Sequence, residues 1–256
     1  MNIKTIYPVF ASLSIISVVF RVLQLLFGTD NISGLRNPNS PFSWLFALIL
    51  AVFCLILFVI PKISYGTSKV SEIYFPKALA LASIILSVCF LGDIFLSFQV
   101  SSATLFKLES VFGVLSAAAF LIFALILLEK LSSKLLPVLL FPVFYFILKL
   151  VGLFLTDVSI SNHPIASLNL VKSIFMLLFY ISFASIFFKE NPGEKISNAI
   201  FISLSSAMVT LCGIVSNFFL VDFEIKLSDI AFCIFSVMVS VILINAVVKT
   251  SKSIKE

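Results

Sequence analysis

Eight apolar stretches, each close to the ~20 residues needed to cross the hydrocarbon of a bilayer, leave this chain one environment in which to fold. They cover 6–27, 42–60, 77–98, 105–128, 135–155, 165–188, 196–220 and 228–248, and they predict eight transmembrane helices with short connections. Composition excludes a soluble domain, because 61% of the residues are hydrophobic and only 11% charged, against about 25% charged in an average soluble fold. The expected fold is an all-α polytopic membrane protein, a single integral membrane domain over 1–256. Arg21 inside the first stretch, and the lack of a small-residue cleavage site before Gly28, argue for a retained helix rather than a signal peptide.

Orientation follows from the lysines. With the N-terminus inside, Lys4, Lys62, Lys69, Lys77, Lys130, Lys134, Lys189, Lys195, Lys249, Lys252 and Lys255 fall on the cytoplasmic side, and only Arg36, Lys107 and Lys226 fall outside. In loops this short that asymmetry predicts both termini in the cytoplasm. The net charge of +5 is then a consequence of topology, and no nucleic-acid partner is expected. Cys54, Cys89, Cys212 and Cys233 lie within the stretches without CxxC spacing and read as small apolar residues. The single histidine, His163, cannot build a His-based zinc site alone. No metal or cofactor is expected, and loops 28–41 and 191–193 carry only turn chemistry.

The chain divides at 129–134 into halves of similar length, 1–128 and 133–248. Leu26-Phe27-Gly28-Thr29-Asp30 ends the first stretch of one half, and Leu153-Phe154-Leu155-Thr156-Asp157 ends that of the other. Asp93-Ile94-Phe95-Leu96 and Asn217-Phe218-Phe219-Leu220 end the third stretches. The matched positions predict a tandem four-plus-four repeat about an axis along the membrane normal.

Besides Lys77, Lys107 and Asp229 in the first residues of their stretches, five charges stand further in: Arg21, Asp93, Glu109, Lys149 and Lys172. Each lies four to seven residues from the outer boundary, so all share one layer roughly 6–10 Å deep at the helical rise. Helical spacing puts Arg21 on a stripe with Ser14, Ser17 and Gln24, and Lys172 on one with Asn169, Met176 and Tyr180. Asn217 continues the stripe of Ser206, Thr210 and Gly213, and Lys149 that of Tyr145, Gly152 and Thr156. Small residues on these stripes allow close helix approach. Lys and Arg can extend towards headgroups, but Asp93 is too short and needs a cation or a proton. Arg21 is the expected partner of Asp93, and Lys172 the expected surplus cation facing an outward pocket. The ligand-binding set is accordingly Arg21, Gln24, Asp93, Glu109, Lys149, Asn169, Lys172 and Asn217, the ligand an anionic lipid or small molecule.

Catalytic signatures such as HExxH, GxSxG or a phosphate loop are absent. Asp93 and Glu109, two carboxylates in one layer, are the candidate acid/base pair. The run Arg21-Val22-Leu23-Gln24, followed by Thr29-Asp30-Asn31-Ile32-Ser33-Gly34, resembles the opening of small multispanning membrane proteins of bacteria, which implies a bacterial cytoplasmic membrane. Eight spans with Gly92-Asp93-Ile94-Phe95-Leu96 in the third and Ser216-Asn217 in the seventh resemble the YhhN-like lysoplasmalogenases, enzymes that hydrolyse vinyl-ether lysolipids. That resemblance implies a lipid hydrolase with Asp93 as a family carboxylate; Asn217 replaces the other, and 112–128 lacks the family's His and Tyr. The expected function is binding or transport of an anionic amphiphile or small solute. The lipid hydrolase and a non-enzymatic membrane subunit or scaffold are the alternatives, with membrane lipid as partner in every case.

Overall fold

A computed structural model of the chain describes residues 5–30, 35–37, 39–65, 73–98, 104–156, 163–188, 193–218 and 226–253. Among them are eight α-helices: α1 (Ile6–Phe27), α2 (Phe42–Tyr65), α3 (Lys77–Phe98), α4 (Thr104–Leu127), α5 (Phe141–Thr156), α6 (Pro164–Phe187), α7 (Gly193–Asn217) and α8 (Leu227–Ser253). Each is long and apolar enough to cross a membrane, α5 together with the residues that lead into it, and the chain is a multi-pass membrane protein. Successive crossings alternate in direction. The α1–α2, α3–α4, α5–α6 and α7–α8 connections therefore share one end of the bundle, the hairpin end, and the first and last helices begin and finish at the other, the terminal end.

The fifth crossing departs from the predicted continuous helix. Ser133–Leu140 is a 3-10 segment, and α5 begins only at Phe141. Pro142 has no N–H to give the Val138 carbonyl, as an α-helix would require. Phe141 N–H takes that carbonyl instead, one residue earlier, and the tighter winding results. α2, by contrast, continues through Pro61 near its end.

α7 is the most enclosed helix and packs against α1, α2, α6 and α8. α3, its counterpart in the expected duplication, packs against α4 and α8. Asp157, half of the second Thr-Asp pair, lies outside the described residues. The interior between α3, α4, α5, α6 and α8 is aromatic: Phe90, Phe120, Phe146, Phe179, Tyr180 and Phe235 meet in stacked, tilted and edge-on pairs, such as Phe146 on Tyr180 at 5.3 Å. Without a hydrophobic drive between helices in lipid, such packing and interhelical hydrogen bonds hold the bundle. Ser87 Oγ donates to the Ala117 carbonyl at 2.7 Å and Ser206 Oγ to that of Phe175 at 2.8 Å. Ile15, Leu48, Leu55, Leu81 and Phe154 point outward on the surface that meets lipid.

Candidate functional site

Polar residues gather in two clusters at the hairpin end, with α7 between them. The first is built on Arg21, whose side chain is fully enclosed. Its Nε donates to Ser216 Oγ of α7 at 2.7 Å, its Nη1 to Gln24 Oε1, and its Nη2 to the Pro164 carbonyl at 3.4 Å. The guanidinium also lies over the Phe46 ring, 5.2 Å from the centroid. Gln24 is itself anchored, donating from Nε2 to the Ser43 carbonyl at 2.9 Å. The α1–α2 turn that brings Ser43 there is tight: a Cβ on Gly28 would stand 2.7 Å from the Gln24 carbonyl oxygen and 2.9 Å from Ser43 N. Only glycine fits that approach.

A second guanidinium stands beside Arg21. Arg36, paired with Thr29 in an isolated antiparallel bridge, stacks over Trp44 at 4.3 Å and donates from Nη2 to Ser167 Oγ at 3.2 Å. Ser167 Oγ donates in turn to the Pro164 carbonyl at 3.0 Å, the same oxygen that Arg21 reaches. Arg36 Nε and His163 Nδ1 are both buried without a hydrogen-bond partner. Burial pushes the Arg36 guanidinium below its ordinary range, and the two arginines lie close enough to repel.

The second cluster joins α3, α4, α5, α6 and α8. Lys172 Nζ forms an ion pair with Asp229 Oδ2 at 2.6 Å, both side chains buried. Gly213 of α7 makes room for it, since a Cβ there would meet Lys172 Cδ at 3.2 Å. Lys149 lies against the Tyr145 and Phe146 rings at 5.7 and 5.4 Å. Glu109 turns towards α5, its Oε2 3.9 Å from where a Gly152 Cβ would stand, within electrostatic reach of Lys149 and Lys226. Asp93 accepts a hydrogen bond from Ser228 Oγ at the start of α8. Tyr145 sits within reach of Asp93, Glu109, Asp229 and Lys226. Three carboxylates, Asp93, Glu109 and Asp229, thus share the region with three lysines, Lys149, Lys172 and Lys226.

Two sequence expectations are corrected by this geometry. Arg21 does not reach Asp93, because α1 packs on α2 and α7 while α3 packs on α4 and α8; its acceptors are all neutral. Lys172 is not a surplus cation, because Asp229 neutralises it. Of the other expected residues, Asn169 is half-buried on α6 and Asn217 half-buried at the end of α7 beside Ser216. Asp229 is the second residue of its stretch, where a carboxylate passes for interfacial, and Arg36 reads in the sequence as a loop charge. Position along the chain marks neither as part of a site.

A groove of about 770 Å³ opens between α3 and α4 on the flank of the bundle, lined mainly by apolar side chains with Lys107 at one end. Neither Asp93 nor Glu109 lines it. Compared with family models, with curated proteins and with solved structures, the chain matches none.

Proposed function

We propose that the protein binds the anionic group of an amphiphile or small solute at the Arg21–Arg36 pair, with the hairpin end facing outward and both termini in the cytoplasm. The observation that carries this reading is a fully buried guanidinium whose acceptors among the described residues are all neutral, beside a second that keeps a donor unused there. The other cluster sets three carboxylates among its three lysines, whereas here the two guanidiniums donate to neutral oxygens. Arg21 is enclosed and acts as a fixed charge, while half-buried Arg36 is the group a ligand reaches. A carboxylate or phosphate against the exposed part of Arg36 would offset the repulsion between the arginines. The lysine asymmetry supports the orientation.

Thermal unfolding of the purified protein in neutral detergent tests it, with inorganic phosphate, acetate or lysophosphatidylglycerol added. At least one of these should raise the midpoint of the natural protein, since a ligand that binds only the folded state stabilises it by mass action. Arg36→Gln should abolish that rise while leaving the anion-free midpoint equal or higher. A midpoint indifferent to all three anions, or a rise that survives Arg36→Gln, removes the reading.

A further inference from the structure

The α3–α4 groove is built on helices that do not pack against α1, and a role for it depends on membrane insertion alone and not on the arginine pair. Its walls are open to the membrane: Val88, Leu91, Phe95, Val111 and Val114 are between 40% and 67% exposed. Its floor is Gly92, where an added Cβ would meet nothing within 4 Å. Glycine in the middle of a helix lowers its stability relative to alanine, and among the described residues nothing occupies the space that Gly92 leaves. That contrasts with Gly28 and Gly113, where neighbours crowd the position.

The two ends of the groove differ. From Val114 to Lys107 the wall rises about 10 Å at the helical advance per residue, ending in the first turn of α4 at an exposed lysine. Glu109, two residues on, does not cancel that charge: it turns to α5, where Lys149 and Lys226 act on it. An apolar trough capped by a cation at the depth of the headgroups matches one occupant, an acyl chain continuous with an anionic head. The volume falls within the ~300–1,000 Å³ of small-molecule sites.

We infer that the α3–α4 groove is a lipid site, in which one acyl chain of an anionic glycerophospholipid from the hairpin-end leaflet lies over Gly92 and its phosphate meets Lys107. Chain burial supplies most of the attachment, and the lysine supplies the preference among head groups.

Native mass spectrometry of the full chain released from detergent micelles tests this, with phosphatidylglycerol and phosphatidylcholine of identical chains added separately. The natural protein should retain the anionic lipid roughly fivefold more tightly, the effect of one lysine near the membrane surface. Lys107→Gln should erase that preference while both lipids still bind. Gly92→Leu, which fills the floor, should lower retention of both lipids about tenfold or more, the loss of several buried methylenes, with helix content unchanged. Val114→Phe, from a residue 48% exposed on the opposite wall, repeats the test should the leucine disturb folding. Unchanged retention in both filled variants overturns the inference. So does a dimer that disappears with Gly92→Leu while lipid adducts persist, for the groove would then hold a second copy of the chain.

Discussion

A lysine ammonium inside a bilayer keeps its charge where a carboxylate reaches it, and Lys172 is reached by Asp229 because Gly213 lets its stem pass. Breaking a buried pair by removing one partner costs about 3 kcal/mol or more, whereas an ordinary interhelical hydrogen bond in a membrane is worth ~0.6 kcal/mol. The two should be easy to tell apart by unfolding in mixed micelles. Asp229→Asn is expected to destabilise by on the order of 3 kcal/mol, far more than Ser87→Ala, which removes the bond to the Ala117 carbonyl. The double substitution Lys172→Met with Asp229→Leu should recover most of the loss, since an apolar pair carries no desolvation cost. A double variant as unstable as Asp229→Asn would show that the site needs the charges for another reason. Arg21 obeys the opposite rule: its planar fork of donors can be satisfied by neutral oxygens from Ser216, Gln24 and Pro164.

At the scale of elements, α4 ends in a sharp stop. Lys130 N–H bonds the Leu125 carbonyl and Glu129 N–H that of Ile126, with Glu129 at φ 59°. This is the Schellman arrangement, whose left-handed residue is usually glycine. A side chain there costs about 1–2 kcal/mol, and glycine's greater freedom in the unfolded chain returns roughly half of any gain. Glu129→Gly should therefore stabilise by about 0.5–1 kcal/mol, and Glu129→Val should destabilise, since a β-branched residue tolerates positive φ least. Equal midpoints for the two in thermal unfolding would mean that the turn relaxes without cost. The 3-10 lead-in to α5 is the element that hydropathy conceals. Its residues are apolar enough to extend a membrane span, but hydropathy carries no backbone geometry, and the winding shows only in the two prolines, Pro137 inside the segment and Pro142 at its junction with α5.

For the molecule as a whole, orientation is the property with the plainest test. In a cysteine-free background and intact cells, Lys226→Cys should react with an impermeant maleimide, and Lys130→Cys only after permeabilisation. Both positions are exposed, so the reverse pattern would invert the protein and turn the Arg36 site inward. The eight crossings are legible in the sequence because apolar length alone defines them. The costly residues are legible too, Arg21 and Lys172 among them. Their partners are not, because a stripe says which way a residue points on its own helix and not which helix stands opposite. α1 packs on α7, α7 on α8 and α8 on α3, so two helices stand between Arg21 and Asp93, and no periodicity carries that information. Ser216, which holds Arg21, stands out in the sequence only through a resemblance.

Ser216 also lies 195 residues beyond the arginine it holds. A ribosome adding about 5–20 residues per second would deliver it roughly 10–40 s after Arg21 has entered the membrane. Pro164, the other acceptor from a distant helix, comes earlier, 143 residues beyond Arg21. Until then the guanidinium's hydrogen-bond partner is Gln24, a single turn away on the same helix, with the Phe46 ring of the next helix beside it. Gln24 thus shelters the charge during synthesis as well as in the finished bundle, and the first helix settles into its final place only when the seventh arrives.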